Sequence, residues 1–283
     1  MICSEDIMPD QDHQPTFRWN ATDYHRSSSA QQQWASELIQ KLALTGTERV
    51  LDIGCGDGKI TAELSQRLQK GSVVGVDSSP DMIGFARTHF PQSGYPNLSF
   101  AVKDARTLTF DEEFDIVFSN AALHWVTDHH PVLEGIQRAL IPKGRMLIQM
   151  GGKGNAEQVF RELEVVVQNP RWSRYFDNFG FPYGFFDNED YRSWVRAAGL
   201  DPVRSELIPK IMVHATRTDF AGWIRTTWLP YLERVPEPLH QDFIEDLIDH
   251  YLLMYPADTL GGIHIGMIRL EVEARKSPFC SNI

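Results

Sequence analysis

Residues 50–58 read VLDIGCGDG. Two apolar residues, Val50 and Leu51, lead into a carboxylate, Asp52, and then into glycines at alternate positions, Gly54, Gly56 and Gly58. A strand that ends in glycines and opens into a helix brings backbone N–H groups, and room for a close ligand, to the carboxyl edge of a sheet. The spacing narrows the ligand. A dinucleotide pyrophosphate calls for G-x-G-x-x-G. Here the third glycine comes one residue early, and Asp52 would set a carboxylate against a pyrophosphate. The same carboxylate would attract a cationic amino-acid group. The next strand-ending acid, Asp77, falls where a carboxylate can take both hydroxyls of a ribose.

Outward from this loop the chain alternates. RVLDIG (49–54) reads as a strand and KITAELSQRL (59–68) as a helix. SVVGVD (72–77) is strand-like, and SPDMIGFARTHF (79–90) opens with a serine and a proline, a helix start. LSFAV (98–102), FDIVFS (114–119) and GRMLIQM (144–150) read as three more strands, with HPVLEGIQRAL (130–140) as the helix before the last. Strands alternating with helices predict right-handed crossovers and a doubly wound, mostly parallel sheet of the α/β class. Upstream, Trp34, Leu38 and Leu42 recur at helical intervals in a segment from about Asp23 to Leu42. After Gly154 the rhythm breaks. Residues 155–200 read as two helices around an aromatic stretch, RYFDNFGFPYGFF; 203–213 as a sixth strand, 219–254 as helical, and 265–275 as a seventh strand. The expected organisation is a flexible lead-in (1–16), a core with an N-terminal helix (17–154), and a C-terminal part (155–283). In that last part helices inserted between the remaining strands form a lid, the whole being one continuous domain.

The composition narrows the partners. The chain has 283 residues, 42% of them hydrophobic, enough for a large packed core. A formal net charge of -11 and a pI near 5.3 repel phosphate backbones and anionic lipid, so neither nucleic acid nor a membrane surface is expected as a partner. The three cysteines, Cys3, Cys55 and Cys280, have no disulfide or zinc spacing, which fits a reducing compartment. The N-terminus lacks the blocks of a signal peptide, and a cytoplasmic protein is expected. His129 and His130 are adjacent at a helix start with no third ligand spaced for them, so no metal is expected.

At this point a resemblance carries the reading further. VLDIGCGDG, VVGVDSSPDMI, KDA and FDIVFSNAALHW, in this order within residues 49–150, resemble the successive motifs of class I S-adenosylmethionine (SAM) dependent methyltransferases. The resemblance implies a seven-stranded Rossmann-like sheet, SAM as cofactor and S-adenosylhomocysteine as product. Residue by residue, it implies that Gly54 and Gly56, with Cys55 between them as a small apolar residue, let the methionine part lie on the loop. Asp52 would orient the ammonium, Asp77 would bind the ribose hydroxyls, and Ser78 and Met82 would border the adenine. Asp104 would accept from the adenine amino group beside a backbone contact from Ala105. Asn120 and Ala121 would lie near the sulfonium, and Tyr24 and Gln33 of the N-terminal segment would cover the cofactor.

The segment SNAALHWVTDH narrows the class. It lacks the asparagine or aspartate followed by two prolines and an aromatic that base and glutamine amino-methylases carry. It resembles trans-aconitate 2-methyltransferases and their kin, which esterify small carboxylic acids. WNATDY, SAQQQWA, the lid segment WIRTTWLPYL (223–232) and Tyr255-Pro256, Gly261, Ile263 and Arg269 extend the likeness over most of residues 17–276. The expected acceptor is therefore a small molecule with a carboxylate oxygen. The reaction needs an anion-binding donor set, a dry pocket and alignment rather than a strong base. Candidate groups are His124 and Arg225 for the reaction, with Trp125, Tyr183 and Arg269 on the substrate; Trp223 and Trp228 read as lid core. Two alternatives stay open: carbon or nitrogen methylation with His124 as base, and a SAM-binding protein without catalysis. The oligomeric state is not legible.

Overall fold

The structure is a computed structural model that describes residues 29–277. Its centre is one seven-stranded sheet in the order β3-β2-β1-β4-β5-β7-β6. The strands are β1 (Arg49–Ile53), β2 (Ser72–Asp77), β3 (Leu98–Val102), β4 (Phe114–Asn120), β5 (Leu140–Gly151), β6 (Leu200–His214) and β7 (Ile263–Lys276). β1 to β5 run parallel, and β7 lies antiparallel between β5 and β6. The two strands from the C-terminal half therefore complete the sheet of the first half. The strand order reverses between β1 and β4, so their carboxyl ends diverge and leave a crevice there.

Helices cover both faces. On one, α1 (Ser29–Lys41), α2 (Lys59–Arg67) and α3 (Pro80–His89) pack Leu38, Ile39, Ala62, Leu64, Ile83 and Ala86 against the sheet. On the other, α4 (His130–Ala139) and α6 (Asn188–Ala197) bury Val132, Leu133, Ile136, Tyr191 and Val195. A third apolar cluster sits above the carboxyl edge. It joins α5 (Glu157–Gln168), α7 (Arg217–Thr227), α8 (Leu229–Leu232) and α9 (His240–Met254) with the ends of β6 and β7. Trp34 of α1 belongs to this lid cluster while Leu38 and Leu42 belong to the core, so one helix ties the two together.

Boundaries differ from the sequence reading where prolines or pairing intervene. The helical stretch expected over 219–254 breaks into three, because Pro230 opens α8 and Pro236 and Pro238 precede α9. β5 begins at Leu140 rather than 144, since Leu140 already pairs with Phe114 ahead of the turn at Lys143. The lead-in 1–16, Tyr24 and the side chain of Gln33 lie outside the described residues.

Candidate functional site

The glycine loop closes back on β2. The Gly54 and Cys55 N–H groups both donate to the Val76 carbonyl, at 2.7 and 3.0 Å. Gly54 has φ +74, and a Cβ there would lie 2.1 Å from the Ala122 Cβ, so only glycine fits. Gly58 (φ +84) opens α2, packed so tightly that a Cβ would meet Phe100 at 2.8 Å and Ala86 at 2.9 Å. Beyond the loop, Asp77 receives the Gly56 N–H and the Ser79 N–H, each at 2.9 Å. Burial pushes its carboxyl up, and these two donors oppose the shift. Ser79 caps α3 by accepting the Met82 N–H, with Pro80 in the first turn and Asp81 near the positive helix end.

These loops line one end of a cavity of about 490 Å³. Gly54, Gly56, Asp77, Ser78, Met82, Asp104, Ala105 and Ala121 all reach its wall. Asp104 is engaged by Arg106, whose Nη2 donates to it at 2.7 Å and whose backbone N–H donates at 2.8 Å. That contact holds the Asp104 carboxyl below its ordinary value.

Three residues expected here stand behind the wall. Asp52 is buried beneath the loop, accepting the Thr61 hydroxyl at 2.7 Å; burial raises its pKa to about 7, with the Asp77 charge adding to the shift and the Thr61 bond opposing it. Asp52 thus braces loop against α2 rather than facing the cavity. Cys55 points into the core against Gly75 and Phe100, and burial beside the Asp77 and Asp52 charges keeps it a thiol. Asn120, the last residue of β4, is also off the wall. The turn away from the strand comes one residue later, at Ala121 (φ +55), and Ala121 reaches the cavity.

The other end of the cavity is built by the lid. Tyr183 and Phe185 stack with ring centres 5.4 Å apart, Trp125 meets Tyr183 edge-on at 5.3 Å, and Phe160 packs on Trp228 at 4.4 Å. The aromatic stretch is pinned there because the Gly184 N–H donates to the His124 carbonyl. The turn that carries His124 and Trp125 is held in turn by His129. One ring nitrogen of His129 faces the carbonyls of Leu123 and Val126, and the other faces the Tyr191 hydroxyl. Arg269 of β7 is 3% exposed and lines the cavity, its guanidinium 5.4 Å from the Trp34 ring centre. His124 is kept neutral: burial lowers its pKa well below 6.5, and the Arg269 and His129 charges add to the shift.

Arg225, expected at the reaction, lies off the cavity wall. It sits on α7, whose cavity residues are Trp223 and Thr227, one turn apart. Two positions from each, at about 100° per residue, Arg225 falls on the opposite face and is exposed. Sequence reasoning also missed Trp34, Asn155, Phe160, Met212, Thr227 and Met267 as wall residues, and it favoured lid core over ligand wall for Trp223 and Trp228; the aromatic stretch 175–186, which it read as a pocket wall, supplies Tyr183 and Phe185. Apolar periodicity marks most of them as buried, and only the fold turns them toward a cavity.

A glycine loop, a strand-ending carboxylate and a large cavity at the switch point are the parts of a cofactor-binding enzyme of the α/β type. The comparisons agree: residues 44–199 match the model of the methyltransferase domain, and the chain belongs to that family of SAM-dependent methyltransferases. The chain is 29% identical to an uncharacterized methyltransferase, C70.08c, of Schizosaccharomyces pombe, the match covering 93% of this chain and 99% of that one. It is 28% identical to the trans-aconitate 2-methyltransferase of Escherichia coli over 92% of this chain and 98% of that one. In fold it resembles the YcgJ protein of a Bacillus (TM-score 0.60, 18% identity, covering 87% of this chain and 99% of that one).

Proposed function

We propose that this methyltransferase esterifies a small carboxylic acid. The observation that carries the reading is Arg269: a buried guanidinium on the cavity wall, among aromatic rings, beside a histidine kept neutral. A guanidinium grips a carboxylate through two donors and keeps its charge at any working pH. The likeness to trans-aconitate 2-methyltransferases supports the same class of acceptor.

SAM fits the other end. Gly54, where a side chain would strike Ala122, and Gly56, at φ +53, bring bare backbone to the cavity wall, and Asp77 offers a half-buried carboxylate beside the apolar surfaces of Met82 and Ala105. When bound, SAM supplies an electrophilic methyl group, and its sulfur keeps the electron pair of the broken S–CH3 bond. The protein's own task is positional. Arg269 holds an acceptor that is already ionised at neutral pH, and Trp125, Tyr183 and Phe185 exclude water from the reacting oxygen. No proton has to move. That removes the need for a base, and His124 is a poor one, since its conjugate acid is too strong to form near neutral pH. Carbon or nitrogen transfer through His124 is correspondingly disfavoured.

The test uses methyl-labelled SAM with a panel of acids, amines and phenols, scored for label that turns volatile after mild base. Base-labile label marks a methyl ester and supports the reading; base-stable label overturns it. In the same assay Arg269→Gln should lower kcat/KM for the acid by about 30-fold or more, the size expected for a lost charge-assisted contact, while S-adenosylhomocysteine binding stays within about twofold. Equal losses in both would deny Arg269 an acceptor role.

A further inference from the structure

The lid end of the cavity also bears on which carboxylic acids fit, resting on the esterification reading above. Among the described residues of that wall, Arg269 is the one ionised side chain; the rest is Trp34, Phe160, Phe185, Met212, Met267 and their aromatic neighbours. Several of the polar groups present are engaged by the protein itself. The Tyr183 hydroxyl donates to the Thr227 carbonyl at 3.1 Å, the Thr227 hydroxyl donates to the Trp223 carbonyl at 2.6 Å, and the Asn155 side-chain oxygen accepts the Ile268 N–H at 3.2 Å. The remaining cations of the cavity among the described residues, Lys103 and Arg106, belong to the loop after β3 at the cofactor end, and Arg106 is already paired with Asp104. The buried carboxylate nearest along β7, Glu271, takes Lys41 and Gln149, so those groups do not serve the cavity either.

We infer that the acceptor is a monocarboxylate with a sizeable apolar or aromatic body, and that di- and tricarboxylates such as trans-aconitate are poor acceptors. One guanidinium neutralises one carboxylate. Among the described residues of that wall a second carboxylate finds no counter-charge, and a buried anion does not tolerate that. An apolar body gains there by burial against the rings and by the methionines' ability to fit an irregular shape. Atoms balance as for any ester formed from SAM: one acceptor oxygen gains the methyl, one S–CH3 bond breaks, and no other reactant is needed.

The experiment compares kcat/KM of the full chain for 4-phenylbutanoate and decanoate against tricarballylate and trans-aconitate, scoring base-labile methyl. In parallel, the same acids are titrated into the protein with S-adenosylhomocysteine present, read by quenching of tryptophan fluorescence. The expected result is that the monocarboxylates exceed the tricarboxylates at least tenfold in both readouts. Base-labile label chiefly on tricarballylate or trans-aconitate overturns this inference and leaves the esterification reading intact. Base-stable label, or transfer to amines or phenols but to no acid, overturns both. Equal binding of both kinds of acid also overturns the inference, since the wall would then not discriminate. A second variant sharpens the test: Met212→Lys adds a cation to the wall and should shift the ratio toward tricarballylate by at least threefold. An unchanged ratio in a variant that still binds S-adenosylhomocysteine counts against the inference.

Discussion

The two ends of the cavity are built in opposite ways. The cofactor end is built from successive loops after β1 to β4, where backbone atoms do much of the holding: the Gly54 N–H reaches the Val76 carbonyl and the Gly56 and Ser79 N–H groups reach Asp77. The lid end is assembled from α1, α5, the 175–186 stretch, α7, β6 and β7, and side chains do the work. A backbone-built site tolerates little variation in its glycines and is insensitive to distant changes. A side-chain-built site can be re-lined one residue at a time, which suits a shared cofactor and a changeable acceptor.

Gly54→Ala is the strongest way to break this contrast. It forces a Cβ to 2.1 Å from Ala122 in a left-handed conformation. The strain and overpacking come to about 2–5 kcal/mol. Calorimetric titration should find S-adenosylhomocysteine affinity down by about 30-fold or more; an unaffected variant would mean the loop is soft and the cofactor end is not backbone-built. Asp77→Ala comes next. It should weaken the same ligand by about 1–3 kcal/mol while leaving the KM for the acid within about twofold. A change in acid KM alone would move Asp77 to the acceptor side.

That division also explains what the sequence disclosed. The alternation of 49–150 located five strands and their helices to within a few residues, because buried parallel strands leave short apolar runs bounded by turn residues. The wall positions of Gly54, Asp77 and Ala105 were legible because each stands at or just past the end of a strand in that alternation. Asp52 was legible as a strand-ending acid but not as a brace, since its partner Thr61 lies on the following helix and nothing in a motif says which side a carboxylate faces. Arg225 and Arg269 looked alike on paper. Only the helical rotation of α7 and the inward face of β7 separate them.

The Asp52 carboxyl sharpens the contrast through pH. Its folded pKa, about 7, stands above its ordinary value, so burial favours the protonated form. The stability this gives the fold is present at low pH and is lost as pH rises through about 7. Asp52→Asn keeps the acceptor for Thr61 and cannot ionise. From about pH 6 to about pH 8, wild type should lose about 1–1.5 kcal/mol relative to the variant, read from urea unfolding at each pH. A difference that stays flat would mean Asp52 is already ionised beneath the loop.

The smallest expected effect belongs to Arg225→Ala, and its smallness is informative. Arg225 and the wall residues Trp223 and Thr227 share one helix, so a lid acting as a rigid plate would transmit any disturbance from one face of α7 to the other. The side chain that is lost, however, is exposed and stands off the cavity wall. The packing that fixes α7 lies on its other side, where Phe220, Trp223 and Ile224 are buried in the lid cluster. The variant should therefore keep kcat/KM within about twofold while Arg269→Gln loses about 30-fold. Comparable losses in both would mean that the lid holds its acceptor through α7 as well as β7, and the anion site would then extend across the cavity from one cation to two.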